Sequence, residues 1–146
     1  MPYTEATLTE VSRVAPVSPL TVPHGTSNDT VFRGYNIPKD TVVTVNVWSV
    51  HHDPNLWPEP EKFDPSRFID DDGKYVKRNE IISFSIGRRV CPGEQLARME
   101  LFLIFTSLLQ CFTFKLPDGA PKPSEKGMRG PIYKPVPFML IAEPRD

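Results

Sequence analysis

The chain has 146 residues, enough for one domain or for a part of a larger one. Its composition is that of a globular protein, and the net charge of −1 gives no electrostatic case for binding nucleic acid or for a polybasic membrane site. Seventeen prolines spread along the chain predict much irregular but ordered backbone between short regular elements.

The cysteines and the apolar segments argue against a disulfide-rich, zinc-binding, secreted or membrane-spanning protein. Two cysteines are too few for a disulfide framework, which indicates an intracellular protein, and three histidines without a CxxC motif give little support for a structural zinc site. The first residues lack the charged leader and apolar core of a signal peptide. The longest apolar stretch, 101–109, is interrupted by Thr106 and Ser107 and is too short to span a bilayer.

Three elements are predicted in the first fifty residues. Residues 3–14 favour a helix that has no convincing N-cap and is followed by helix-ending prolines. Strands are predicted at 30–34 and 41–50, joined by a turn at 36–40. In the second strand valines alternate with polar residues, the pattern of a half-buried strand.

The middle of the chain is predicted to be irregular. Residues 51–68 contain four prolines and interleaved aromatic residues, which is typical of an ordered meander. We interpret His51 and His52 as polar residues that end a strand, because neighbours on a strand face opposite ways and cannot share a metal. The acidic stretch at 70–73 predicts an exposed turn.

One long helix is predicted, from Gly93 to Phe112. It is apolar around most of its circumference, which predicts a buried helix, and Cys111 near its end is expected to be an inert core residue. The proline-rich remainder is predicted to be loop with a terminal strand at 138–142.

A loop with unusual chemistry precedes this helix, with the sequence FSIGRRVCPGEQLAR. Cys91 stands between a pair of arginines and the predicted helix N-terminus, and both features favour the thiolate, which is the metal-binding form of cysteine. Gly87 and Gly93 would let the backbone approach a partner closely. A redox-sensing thiol or a buried structural cysteine are the alternatives, but neither explains the spacing of the loop.

That spacing is the pattern FxxGxRxCxG, and a chance match to its five positions is expected on the order of once in 10⁵ chains of this size. It resembles the haem-thiolate loop of the cytochrome P-450 superfamily. The resemblance implies that Cys91 is the axial ligand of a haem iron. The residues that it places at the cofactor are Cys91, Arg89, Phe84, Gly87, Gly93 and Ala97.

Two other motifs carry the same resemblance. Glu10 and Arg13 form an ExxR pair, and DPSRF at 64–68 is similar to the meander motif of the family. The resemblance implies that Glu10, Arg13 and Arg67 form a structural triad that fixes the haem-binding core. Taken alone, Glu10 and Arg13 would be an ordinary surface pair worth about 0.2–0.5 kcal/mol.

The sequence around His24 is similar to the microsomal, animal family-2 branch, in which VPH precedes a segment such as FRGYNIPKDTVV. This implies that His24 and Arg89 contact the haem propionates. A single histidine in a loop is otherwise usually just exposed.

The implied fold is mixed α/β and mainly α, the C-terminal part of the cytochrome P-450 fold. Its expected parts are the ExxR helix, a small β-sheet, the meander, the cysteine loop and the long buried helix. Residues 1–146 would then be the C-terminal portion of a single haem-binding monooxygenase domain, with the N-terminal anchor and the distal central helix absent.

The implied cofactor is haem b, and the implied reaction inserts one oxygen atom from O2 into a lipophilic organic substrate. Electrons would come from NADPH through NADPH–cytochrome reductase, at the cytosolic face of the endoplasmic reticulum membrane, with membrane attachment only through the missing anchor. One alternative is a truncated, catalytically inactive fragment that binds haem or a partner. Another is an interaction domain without haem that uses its proline-rich tail.

Two surfaces of the implied enzyme have candidate residues. Lys77, Arg78 and Arg88 would form a basic face that docks the acidic reductase, or they are scattered solvated charges. The loops at 14–20 and 129–132 occupy places where family members contact substrate, although both are also consistent with ordinary loops.

Overall fold

The structure, a computed structural model, describes residues 1–128 and 130–145. Within these residues the chain forms three α-helices, two 3-10 helices and six short strands. In chain order they are α1 (Pro2–Val14), β1 (His24–Gly25), β2 (Thr30–Phe32), β3 (Tyr35–Ile37), β4 (Val42–Val43), α2 (Val47–His51), the first 3-10 helix (Pro65–Phe68), the second 3-10 helix (Gly87–Arg89), α3 (Glu94–Cys111), β5 (Phe112–Lys115) and β6 (Ile141–Pro144).

Helix α1 confirms the helix predicted at 3–14. Its N-cap position is Met1, and no side chain caps it. One face of the helix is buried, and that face carries Ala6, Thr9, Glu10 and Arg13. The charged pair of the ExxR motif therefore lies on the inner face of the helix and not in solvent.

Strands β2 and β3 form a tight hairpin whose turn is Arg33–Gly34, with φ of 50° and 84°. A two-residue hairpin turn of this kind needs positive φ at both positions. The strand predicted at 30–34 is therefore wrong in its last two residues, and the turn predicted at 36–40 is wrong in its first two, since Asn36 pairs with Val31 in the ladder. Strands β1 and β4 pair outside this hairpin, in antiparallel register.

The strand predicted at 41–50 is wrong beyond β4, because its second half forms helix α2. The side-chain oxygen of Asn46 caps this helix by accepting a hydrogen bond from the Ser49 amide at 3.0 Å. Val47 and His51 on one side of the helix are buried. The local cap and this burial favour a helix over the alternating valine pattern.

The core packs α1 against residues 52–68, which are irregular apart from the first 3-10 helix. Trp57 and Phe68 are fully buried together with Ala6, and the two rings lie 5.9 Å apart. The Trp57 indole N–H donates to the Val50 carbonyl at 3.0 Å, so its polar atom is satisfied. The ordered meander predicted here is confirmed.

Helix α3 confirms the predicted bounds but not the predicted burial. None of its residues is buried in the part of the chain that the structure describes, and the side chain of Leu103 is 62% exposed. Cys111, expected in the core, is exposed as well. Helix α1 and strand β5 contact α3, but they leave much of its apolar surface to solvent.

Strands β5 and β6 form a third two-stranded ribbon, with Phe112 opposite Pro144. The terminal strand predicted at 138–142 therefore begins three residues later than expected. The small sheet expected from the resemblance is three separate antiparallel ribbons within the described residues. In this same part of the chain, no helix combines the length and the apolar character needed to cross a bilayer.

Candidate functional site

A cavity of about 1050 Å³ is lined by the cysteine loop, α1, the loop after α1, β1 and α3. Most of the lining side chains are apolar. Five residues predicted for the site lie in its wall, which brings together segments that are far apart in the sequence. These are His24, Phe84, Arg89, Cys91 and Ala97.

The cysteine loop is held by its own backbone. The Cys91 amide donates to the Phe84 carbonyl at 2.9 Å, and the Glu94 amide donates to the Cys91 carbonyl at 3.3 Å. Ser85 and Gly87 both have positive φ, 67° and 78°, which gives the segment between the bonded groups its sharp reversal. The loop therefore presents Cys91, which is exposed, to the cavity.

The two glycines of the loop have different roles. A Cβ at Gly87 would meet no described atom within 4 Å, so it is the positive φ that favours glycine there. A Cβ at Gly93 would lie 3.9 Å from Cys91 Sγ, an ordinary contact. Neither glycine is among the described residues that line the cavity.

Positive charge lies around the cysteine. Arg88 and Arg89 both line the cavity, and helix α3 begins at Glu94, three residues after Cys91. The N-terminus of a helix carries a partial positive charge from its unpaired N–H groups. His24 brings a half-buried imidazole to the same cavity, on a strand that β4 holds in place.

Phe84 is held by a residue that sequence reasoning missed. The guanidinium of Arg98 lies 5.3 Å from the centroid of the Phe84 ring, and its Nε donates to Glu94 Oε1 at 2.9 Å. This contact joins the cysteine loop to the first turns of α3. The i, i+4 spacing of Glu94 and Arg98 is the signal that indicates the ion pair.

Arg13 and Glu10 form a fully buried ion pair. Arg13 Nε and Nη2 donate to the two carboxylate oxygens of Glu10 at 2.7 and 2.8 Å. The other three N–H groups of Arg13 donate to the carbonyls of His51, Pro60 and Lys62 at 2.8, 2.8 and 3.2 Å. All five donors of the guanidinium are therefore used.

Arg67, the third residue of the expected triad, lies near the same carboxylate. Its Nε is 3.5 Å from Glu10 Oε1 but makes no hydrogen bond among the described residues, whereas its Nη2 donates to the Glu59 carbonyl at 3.0 Å. The Asp64 amide donates to Glu10 Oε1 at 2.9 Å. Arg67 thus adds positive charge near the Glu10 carboxylate, whereas the hydrogen bonds of Arg13 fix the position of that carboxylate.

The interpretation that His51 ends a strand is wrong, because this residue lies in a helix. It is the last residue of α2, it is fully buried, and its Nε2 accepts a hydrogen bond from the Ile82 amide at 3.0 Å. Burial lowers its pKa to about 4, and the positive charges of His52 and Arg13 act in the same direction. No sequence pattern indicated this role.

The other predicted surfaces are placed differently. The stretch 15–18 of the first predicted substrate loop lines the cavity. In the second loop Arg129 lies outside the described residues, and 130–132 are not among the described residues that line the cavity. The Arg78 guanidinium lies 4.4 Å from the centroid of the Trp57 ring.

Comparison with known proteins gives the family. A family model described as Cytochrome P450 matches residues 1–142. The chain is 54% identical to cytochrome P450 2U1 of Mus musculus and 52% identical to that of Homo sapiens, over 99% of this chain and 27% of each relative. It is 49% identical to cytochrome P450 2D14 of Bos taurus, over 99% of this chain and 29% of that protein.

The structure is similar to that of a zebrafish cytochrome P450 solved with abiraterone, with a TM-score of 0.88 and 41% identity over 99% of this chain and 33% of that one. The chain belongs to the cytochrome P450 family, and its relatives belong to animal family 2. This confirms the resemblance and the predicted fold class. The chain spans about a quarter of the length of the curated relatives that it matches.

Proposed function

We propose that Cys91 is the axial thiolate ligand of a haem b iron and that residues 1–146 are the C-terminal portion of a haem-thiolate monooxygenase domain. One observation carries the proposal: Cys91, Arg89 and His24 line a single apolar cavity in a chain of the cytochrome P450 family. They reach this cavity from a loop and a strand that are more than sixty residues apart.

The residues present fit a haem. The donor set offers a thiol exposed to a large and mostly apolar cavity, together with cationic and imidazole groups for carboxylates. Arg89 and His24 would meet the propionates, and Phe84 and Ala97 would contact the ring. Gly87 and Gly93 would shape the loop backbone beside it. When bound, haem supplies the chemistry that inserts one oxygen atom from O2 into an organic substrate.

The chain's own contribution is to hold and surround the sulfur. The bond from the Cys91 amide to the Phe84 carbonyl limits where the thiolate can lie. Arg89 and the positive end of α3 complement its negative charge. With haem bound, the apolar wall and the ring would exclude water from the sulfur, so these charges would act in a medium of low polarity.

Glu10, Arg13 and Arg67 act as a structural triad in this proposal. The buried pair of Glu10 and Arg13 joins α1 to the meander through three main-chain carbonyls and the Asp64 amide. This gives the irregular backbone a fixed position relative to the cysteine loop. The triad therefore supports the haem site without contacting the reacting atoms.

The substrate is proposed to be a lipophilic small molecule. The stretch 15–18 joins the cavity wall, and the zebrafish relative was solved with abiraterone. Electrons are proposed to come from NADPH through a reductase at the endoplasmic reticulum membrane, as inferred from the family resemblance.

The reductase is proposed to dock on exposed positive charge near the cysteine side. Lys77 and Arg88 are exposed, whereas Arg78 is half-buried, with its Nη2 3.5 Å from Glu80 Oε1. We expect Lys77→Glu and Arg88→Glu to slow reduction of the haem-loaded protein by reductase and NADPH, and Lys39→Glu to have no effect. Equal rates in all variants would exclude this docking face.

Haem titration tests the ligand. The reduced protein with carbon monoxide is expected to show the red-shifted Soret band of thiolate ligation. Cys91→Ser should lose this band, and Cys111→Ser, which removes the other exposed thiol, should keep it. A band that survives in Cys91→Ser overturns the proposed ligand, and failure to retain haem would favour an interaction domain without haem.

A second candidate is a haem- or partner-binding fragment without catalytic activity, in which the exposed apolar surface of α3 would contact the partner. The two candidates differ in turnover. Thiolate-ligated protein that forms no product with reductase, NADPH and a panel of lipophilic substrates would support the inactive fragment. Product formation that depends on Cys91 would support the monooxygenase.

A further inference from the structure

His51 makes hydrogen bonds to two parts of the molecule, the buried ion pair of α1 and the segment before the cysteine loop. Its carbonyl accepts a hydrogen bond from Arg13 Nη1 at 2.8 Å, and its ring Nε2 accepts one from the Ile82 amide at 3.0 Å. The first contact lies in the buried ion pair, and the second lies in the segment that leads to the cysteine loop. The residue is completely buried between them.

A short series of hydrogen bonds leads from Ile82 to the proposed ligand. The Ile82 carbonyl accepts from the Ser85 amide at 2.9 Å, and the Phe84 carbonyl accepts from the Cys91 amide at 2.9 Å. Between these bonds Ser85 takes a φ of 67°, a conformation that restricts the turn. A shift of Ile82 would therefore move the carbonyl that holds Cys91.

A second contact supports the same segment but is weaker. The Ser83 hydroxyl donates to the Ser12 carbonyl of α1 at 3.2 Å, and it is only partly buried. The Ile82 amide is buried, and its bond in the described structure goes to His51. A buried N–H without an acceptor is unfavourable, so Ile82 is expected to move if His51 cannot accept.

The direction of this hydrogen bond fixes the state of the ring. Because Nε2 accepts from an amide N–H, it carries no proton, and the single proton of the neutral ring is on Nδ1. Burial favours this neutral form. His51 therefore acts as a hydrogen-bond acceptor through Nε2, while its buried Nδ1 has no partner among the described residues. An amide oxygen at the place of Nε2 can also accept the bond from Ile82.

We propose that His51 is a positioning residue for Cys91, acting through Ile82 and the turn that holds the Cys91 amide. Its relevance to haem rests on the ligand role proposed for Cys91. The hydrogen-bond linkage itself does not depend on haem. It is a property of the folded chain and can be measured there.

Two variants that differ by one methylene group test the linkage. The side-chain oxygen of His51→Gln reaches about as far as Nε2, whereas that of His51→Asn falls short of Ile82. Amide hydrogen exchange of the haem-free chain is measured at Ser85 and Cys91 and compared with the paired strands β5 and β6. We expect His51→Asn to lose at least about tenfold in protection at Ser85 and Cys91 relative to those strands, and His51→Gln to retain most of it.

Other exchange results overturn the inference. An equal loss of protection in both regions means that His51 only stabilises the fold, and an unchanged ratio means that Ile82 does not transmit its position. If His51→Asn does not fold, the linkage is tested by NMR on the unsubstituted chain. A through-hydrogen-bond coupling between the Ile82 amide nitrogen and His51 Nε2 is expected, and its absence overturns the linkage.

The haem-loaded protein separates this inference from the proposed function. We expect His51→Asn to lose part of the thiolate Soret band of the reduced carbon monoxide complex and His51→Gln to keep it. A thiolate band that is unchanged in His51→Asn overturns the positioning role while leaving Cys91 as ligand. A wild-type protein without the band overturns the ligand proposal, whereas the exchange result decides the linkage on its own.

Discussion

Arg13 and Glu10 meet through two parallel hydrogen bonds of 2.7 and 2.8 Å, and neither side chain is exposed to solvent. The same guanidinium also donates to three main-chain carbonyls of the meander. An ion pair that is buried without further bonds costs more in desolvation than it returns. Here every donor of Arg13 has an acceptor, which explains how the charge is tolerated in the core.

Arg13→Lys is expected to destabilise the chain strongly. A lysine has three donors at a single point and cannot reproduce the planar fork, so Glu10 and the carbonyls lose partners. Each buried oxygen that is left without its donor costs about 1–3 kcal/mol, so the total is a large part of the stability of an ordinary domain. Urea unfolding followed by circular dichroism measures the loss.

Arg67→Lys is the matched control for this change, because Arg67 Nε lies 3.5 Å from Glu10 without hydrogen-bond geometry. We expect a smaller loss of about 1 kcal/mol, because lysine keeps the charge near Glu10 and gives up mainly the hydrogen bond from Nη2 to the Glu59 carbonyl. Equal losses in the two variants would show that charge alone, and not the fork of Arg13, holds the cluster.

The free energy of unfolding should decrease as the pH is lowered from about 6.5 to about 4, because of His51. Burial lowers the pKa of this imidazole from 6.5 to about 4, so the folded chain keeps it neutral while the unfolded chain takes up a proton. Acid therefore favours unfolding, and stability is complete only above the unfolded pKa. The full effect is as much as about 3 kcal/mol, since one pKa unit corresponds to about 1.4 kcal/mol.

Urea unfolding between about pH 7.5 and 5 measures this slope, in a range where carboxylates stay ionised. His51→Gln should flatten it, leaving only the smaller contribution of His52, whose pKa burial also lowers. A slope that is the same in His51→Gln would contradict the assignment to His51.

Gly87→Ala is expected to cost about 1–2 kcal/mol, because φ is +78° at this position and a Cβ makes such a conformation unfavourable. Open space around the position does not relieve this strain. Gly25→Ala is the control, since Gly25 has no positive φ and a Cβ there would meet no described atom within 4 Å. It should be neutral or slightly stabilising. Equal unfolding midpoints for the two variants would argue against strain at Gly87.

The outer stripe of α3 is expected to cause self-association. Leu96, Met99 and Leu103 recur on one side of the helix and are 57, 57 and 62% exposed, and exposed apolar patches promote association. Replacing them together by Gln, Lys and Gln should reduce concentration-dependent sedimentation. Met139→Gln, at a site that is 75% exposed elsewhere, should leave it unchanged. The prediction fails if Met139→Gln has the larger effect.

The sequence predicts those features that depend on local spacing. The ends of α3, α1 and the ordered meander follow from helix periodicity and from prolines, and the motif around Cys91 is specific enough to indicate the family by itself. These patterns depend only on residues close together in the sequence, so they can be recognised in a chain that covers only a part of its relatives.

Features that depend on tertiary contacts could not be predicted. The valine pattern at 43–47 indicates a strand, but the Asn46 cap and the burial of His51 decide in favour of helix α2. The acceptor role of His51 has no sequence signature, because its donor, Ile82, lies 31 residues away. The apolar circumference of α3 predicts that the helix packs against other segments, but this pattern does not indicate whether those segments lie within the same 146 residues.

The bonds of Arg13 also have a consequence for the order of folding. They join residues 38, 47 and 49 positions apart in the chain, and contacts of such long sequence separation slow the folding transition. The meander has no strand ladder that could form first. It is therefore expected to become ordered only when α1 packs against it and Arg13 makes these bonds. Refolding should therefore show early formation of helix α1 and late protection of the meander, which depends on the bonds of Arg13.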